Sequence, residues 1–109
     1  MTRPATLPEP PYYAVVFTSL RTSVDDGYAE TSKAMFELVQ SQPGFLGADT
    51  ARGPDGLGIT VAYFTDEPSI AAWKAVPAHA AAQASGRRKW YDSYAMHVAR
   101  VERAYRFDR

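Results

Sequence analysis

Apolar and polar positions along this chain fall into blocks with two different periods. Residues 12–20, YYAVVFTSL, are dense in aromatic and β-branched side chains and predict a buried strand. Tyr28, Ser32, Met35, Phe36 and Val39 then recur at helical spacing, which predicts an amphipathic helix. Its expected start is a capping box of Ser23 with Asp26, and its expected stop is Pro43-Gly44. Residues 45–52 and 57–65 predict two strands joined by the turn GPDG, hence an antiparallel hairpin. Asp66 is placed to cap a second helix, with Pro68 in the first turn, where its missing N–H costs nothing. Pro77 interrupts that helix by forcing Val76 out of the α region, and the helical pattern resumes from Ala78 to Tyr91. Residues 93–107 alternate strongly enough to predict one long last strand.

The predicted order is β-α-β-β-α-β, an α+β, ferredoxin-like arrangement with two helices over one face of a four-stranded sheet. Residues 1–11 hold four prolines and read as an extended arm; residues 12–109 read as a single domain. The second sheet face is left bare. Depending on register it presents Tyr13, Val15 and Phe17, or Tyr12, Ala14 and Val16. Monomers rarely leave that much contiguous apolar surface in water, so a homodimer pairing the open sheet faces into a barrel is expected.

Composition narrows the function classes. Twelve Lys and Arg balance twelve Asp and Glu, so no net field draws in nucleic acid or an anionic membrane. With no cysteine and two histidines, disulfides, thiolate chemistry and a protein-only transition-metal site are not expected. No apolar run is long enough to span a bilayer, and the proline-rich start lacks the apolar core of a secretory signal, so the expected location is cytoplasmic. The third strand carries Leu57, Ile59 and Val61 where an RNA-recognition sheet needs a basic residue followed by stacking aromatics, which argues against RNA. Aromatic residues make up 13% of the chain, more than a small core absorbs, and this points to an interface or a ligand pocket.

Candidate chemistry concentrates in residues 73–91. If Ala78–Tyr91 is one helix, His79, Gln83, Arg87 and Trp90 share a face, with Ala81, Ala82 and Ala84 keeping it slim. Such a stripe beside Trp73 suits a flat, anionic, aromatic ligand. His79 offers a base, Arg87 a cation, and the indoles stacking surfaces. Tyr63, in the middle of the sheet, would join them if it faces the same side. For each of these residues packing or surface roles compete with the site role; His97, between Ala95 and Ala99, reads as a hydrogen-bonded structural residue.

The segments YYAVVFTSL, QPGFLGADTAR, GITVAYF, SIAAWKAVPAHAAAQASGRRKWYDSY and VARVERAYRF, in this order over about 95 residues, together resemble the antibiotic-biosynthesis-monooxygenase family, in its branch related to haem-degrading monooxygenases. The resemblance implies a dimeric α+β barrel and oxygenation of small aromatic or quinol-like substrates, often with no metal or flavin. With such a substrate, the constellation makes His79 and Arg87 the candidate catalytic residues and Trp73, Gln83, Tyr63 and Trp90 the candidate substrate contacts. The haem-degrading branch has a Trp, matched by Trp73, and a haem-ligating His ten residues later, where this chain has Gln83. It also has an Asn on the first strand, and this chain contains no asparagine. Haem binding and degradation therefore stands as one alternative, and a non-catalytic dimeric small-molecule-binding module as another.

Overall fold

A computed structural model describes residues 3–109; Met1 and Thr2 lie outside the described residues. The elements are β1 (Tyr12–Arg21), α1 (Tyr28–Val39), β2 (Phe45–Arg52), β3 (Leu57–Phe64), α2 (Glu67–Ala75), α3 (Pro77–Ser85), a π-helical turn (Gly86–Trp90) and β4 (Tyr91–Val101). The sheet is antiparallel throughout, in the order β2-β3-β1-β4, so the expected ferredoxin-like arrangement is the observed one. No described helix is long and apolar enough to cross a membrane.

Register settles which residues share a face, because directly opposed residues of an antiparallel ladder point the same way. Val15, Phe17 and Ser19 on β1 oppose Val98, Met96 and Tyr94 on β4, and Ala62, Thr60 and Gly58 on β3. This set lies on the helix side of the sheet, where the β4 residues stay partly exposed. Ala14, Val16 and Thr18 oppose Ala99, His97 and Ala95, and Tyr63, Val61 and Ile59, and form the open face. Part of that face is covered after all. The extended segment 3–11 crosses it, with the Ala5 amide donating to Asp49 at 2.9 Å, and Tyr12 and Ala14 are only 4% and 6% exposed.

Three sequence expectations need correction. The capping box does not form, and α1 begins at Tyr28 behind Gly27, whose φ of 73° is left-handed. The reason is competition for the side chains. Asp25 pairs with Arg21, Asp26 pairs with Lys89, and the Asp26 carbonyl receives the Trp90 indole N–H at 2.8 Å. The last strand ends at Val101 rather than running to Phe107, because the tail turns to the N-terminal arm. There Arg106 donates to the carbonyls of Pro4 and Ala5, and Arg3 pairs with Asp108. Finally, Ala78–Tyr91 is not one α-helix: α3 stops at Ser85 and the chain widens into the π turn before Tyr91 enters β4. By contrast Asp66 caps α2 as expected, accepting from the Ser69 amide at 2.8 Å, and Val76 before Pro77 is extended, with φ −61° and ψ 124°.

Candidate functional site

Pro77 breaks the second helical segment between Trp73 and His79, and the break folds one residue onto the other. Their rings stack in parallel, 4.1 Å between centroids and 14° between planes. His79 Nδ1 lies 3.0 Å from the Trp73 carbonyl oxygen. A carbonyl can only accept, so Nδ1 carries the proton and Nε2 keeps its lone pair. Burial lowers the His79 pKa from its ordinary value, and the bond to the Trp73 carbonyl offsets only part of this, so the ring is neutral near pH 7.

Gln83 stands one turn beyond His79 on the same side of α3. It borders a cleft with Phe17, Tyr91, Tyr94 and Met96. The cleft as a whole encloses about 30 Å³, room for roughly one water molecule. From there it opens as a groove along β4, an edge strand that the helices leave uncovered. The row Tyr94, Met96 and Val98 on the helix side is 40–49% exposed. The floor is aromatic: Phe17 meets Tyr91 edge-on at 5.4 Å and Tyr94 at 5.3 Å, and Tyr28 of α1 meets Tyr91 at 6.1 Å. An apolar cleft with one amide, two phenols and, one turn along α3, a neutral imidazole can border the edge of a flat ring and accept a proton from it.

The other residues expected from sequence lie elsewhere. Trp90 is buried at the corner between the π turn and β4. Its indole bonds the Asp26 carbonyl and its own carbonyl accepts from the Thr22 amide at 2.9 Å. Tyr63 lies on the opposite sheet face, edge-on to Tyr12 at 5.8 Å, its phenol pushed up by burial and then by Asp49 and Tyr12. Arg87 is exposed on the π turn, with no ion pair among the described residues. His97 is exposed on the open face rather than held by a hydrogen bond. A larger cavity of about 530 Å³ sits between the arm, the tail and the open face, bordered by Tyr12, Tyr63, Asp49 and Arg106. It holds none of the helical chemistry.

Sequence reasoning missed Tyr91 as a cleft residue. Two signals point to Tyr91: Gly86 interrupts a strong helical run, and Tyr91 is the first residue of the alternating pattern that follows.

No family model matches the chain. The uncharacterized protein YqjZ of Bacillus subtilis (strain 168) is 49% identical over 96 residues, which cover 88% of this chain and 84% of YqjZ. Among solved structures, SnoaB, a cofactor-independent oxygenase from Streptomyces nogalater, aligns with a TM-score of 0.74 at 13% identity, covering 87% of this chain and 97% of SnoaB. Rv0793 from Mycobacterium tuberculosis aligns with a TM-score of 0.69 at 12% identity, covering 90% and 97%. At such identities these structures share the fold.

Proposed function

The chain belongs to the same family as Bacillus subtilis YqjZ and has the fold of the antibiotic-biosynthesis monooxygenases, and from that premise we propose that it is an oxygenase. Its substrate is a small aromatic or quinol-like molecule lying in the groove between α3 and β4, oxidised with no metal or flavin. The observation that carries the reading is His79. It is neutral, pinned by its Nδ1–H to the Trp73 carbonyl, and left with a free Nε2 lone pair one turn from Gln83.

Cofactor-free oxygenation starts from an electron-rich ring anion. For an anthrone, His79 Nε2 takes the ring proton and the carbanion passes one electron to O₂. The resulting radical pair joins at carbon, the imidazolium returns its proton to the peroxide oxygen, and loss of water leaves the quinone, so that anthrone and O₂ give anthraquinone and water. Removing a proton with a positioned base contributes about 10²–10⁴-fold to such a step. Trp73 backs the imidazole and fixes its plane, and Gln83 meets an oxygen of the substrate; Arg87, turned away on the π turn, is left out of this step. The same reading includes a homodimer through the open sheet face, where Leu57 and Ile59 are nearly half exposed. The location we propose is the cytoplasm.

The haem alternative has one imidazole on this side of the sheet to draw on, because His97 lies on the other face. That imidazole stands one turn earlier than the haem-degrading branch requires, and the branch's asparagine is absent. These departures are why we prefer the reading without haem. Oxygen uptake over a panel of hydroquinones and anthrones tests the proposal. Enzyme-dependent uptake is expected, reduced about 100-fold or more in His79→Ala. Unchanged turnover in that variant would remove His79 as the base. Ligand binding with no oxygen uptake would leave the non-catalytic module standing.

A further inference from the structure

The N-terminal arm lies on the open sheet face because β2 makes room for it there. Gly47 and Asp49 share that face with their partners Tyr63 and Val61. A Cβ on Gly47 would stand 3.3 Å from the Ala5 Cβ and 3.5 Å from the Leu7 side chain. Beside it, one oxygen of Asp49 accepts the Ala5 amide at 2.9 Å. The tail then closes over the arm. Arg106 donates to Asp108 at 2.8 Å and to the carbonyls of Pro4 and Ala5, and Arg3 reaches Asp108 at 3.0 Å. Arm, tail and sheet leave between them the cavity of about 530 Å³, a size usual for a small-molecule site.

The walls of this cavity are rich in acceptors and poor in donors. Pro4, Pro8 and Pro10 border it and bring no backbone N–H. Glu9, Asp49 and Asp108 bring three carboxylates, and among the described residues Arg106 is the single cation on the border. Arg106 and Arg3 both converge on Asp108, so Glu9 and Asp49 keep their charge without an ion pair among the described residues. The floor is aromatic, with Tyr12 and Tyr63 edge-on at 5.8 Å.

Tyr12 carries the decisive observation. It is only 4% exposed, and its hydroxyl has no hydrogen-bond partner among the described residues. No fully enclosed polar side-chain atom among them goes unpartnered, so this hydroxyl still meets open space, and the cavity is the space that Tyr12 borders. The Tyr63 phenol agrees on the sign of the local field: burial pushes it up, and then Asp49 and Tyr12 do. Tyr105, on the tail, adds a third ring that is 88% exposed.

Aromatic faces, unpaired carboxylates and a free phenol oxygen together suit a cation that donates hydrogen bonds. We propose that this cavity binds a small organic ammonium ion, with its N–H groups on Asp49 and the Tyr12 hydroxyl and its carbon skeleton against the Tyr63 and Tyr105 rings. The site is separate from the groove, which lies on the other side of the sheet. It also stands four residues along β3 from Ile59, away from the proposed contact with a second copy.

The probes are 2-phenylethylammonium, 2-phenylethanol and phenylacetate, one shape in three charge states. Binding to the full chain is followed by ¹⁵N–¹H NMR, which separates cavity amides such as Ala5, Asp49 and Tyr63 from groove amides such as Gln83 and Tyr94. The ammonium ion should shift the cavity amides and bind about tenfold or more tightly than the alcohol, with phenylacetate weakest. Asp49→Asn keeps an oxygen for the Ala5 amide, so the arm stays seated, and it should bring the ammonium ion to about the affinity of the alcohol. Tyr105→Ala, at an exposed position that leaves the fold intact, should weaken the ammonium ion about two- to fivefold. Equal affinity for the three probes, binding unchanged by Asp49→Asn, shifts confined to the groove, or no binding of the ammonium ion would each overturn the assignment.

Discussion

His79 shows how a single side chain acquires chemistry from its surroundings. The amino-acid sequence places it one turn before Gln83, and that relation was legible from helical periodicity alone. The stack on Trp73 and the bond to the Trp73 carbonyl were not, because they depend on the angle at which the chain re-enters a helix after Pro77. The consequence is a depressed pKa with a definite sign. As pH falls through the ordinary value of 6.5, the unfolded chain takes up a proton that the folded chain does not. Stability from this group is therefore fully present above about pH 6.5, declines below it, and levels once pH passes the folded pKa. A ¹⁵N–¹H NMR titration should give His79 a midpoint below 6.5 and the Nδ1–H tautomer in the neutral form. The Nε2–H tautomer would take away the free lone pair on which the proposed base depends.

At the scale of elements, the first three strands and α2 were the most legible parts. β2 falls where predicted, and β1 and β3 differ by one residue at one end, because aromatic and β-branched runs bounded by turn residues have few other readings. The elements that departed did so where side chains had a better offer. The Asp26 side chain went to Lys89 while its carbonyl took the Trp90 indole N–H, so α1 lost its expected capping box. The C-terminal half of the predicted 78–91 helix widened into a π turn, which rotates Arg87 and Trp90 away from the stripe assumed for them and brings Tyr91 forward. Gly86 makes that geometry attainable. Gly86→Ala should displace the Tyr91 ring and destabilise the protein by about 1–3 kcal/mol in urea unfolding, the usual cost of an added methyl in tight packing. Unchanged stability would mean that the ring is positioned by something other than its contact with Gly86.

For the whole molecule, the order of elements followed from sequence, and so did the existence of an apolar face left over by two helices on four strands. The register did not, since a one-residue slip exchanges the two faces. It puts Tyr12, Ala14 and Val16 on the open side and Tyr13, Val15 and Phe17 under the helices. Nor did the sequence show that the arm and tail would clip together through Arg3, Arg106 and Asp108 and roof one end of that face. The rest of it, centred on Ile59 and Leu57, is where the proposed second copy would pack. Ile59→Glu places a charge there and should convert a dimer into a monomer by light scattering after size exclusion, with secondary structure retained. A wild-type chain that is already monomeric at micromolar concentration would contradict the dimer.

The central claim is that the groove beside His79 oxygenates an aromatic ring using this chain's own residues. The most direct test is oxygen consumption during anthrone oxidation by protein dialysed against a chelator. The account predicts one O₂ consumed per anthraquinone formed, at a rate unaffected by the dialysis and lowered about 100-fold or more by His79→Ala. Consumption no faster than in buffer over the whole anthrone and hydroquinone panel, or activity that appears only when hemin is added, would contradict it.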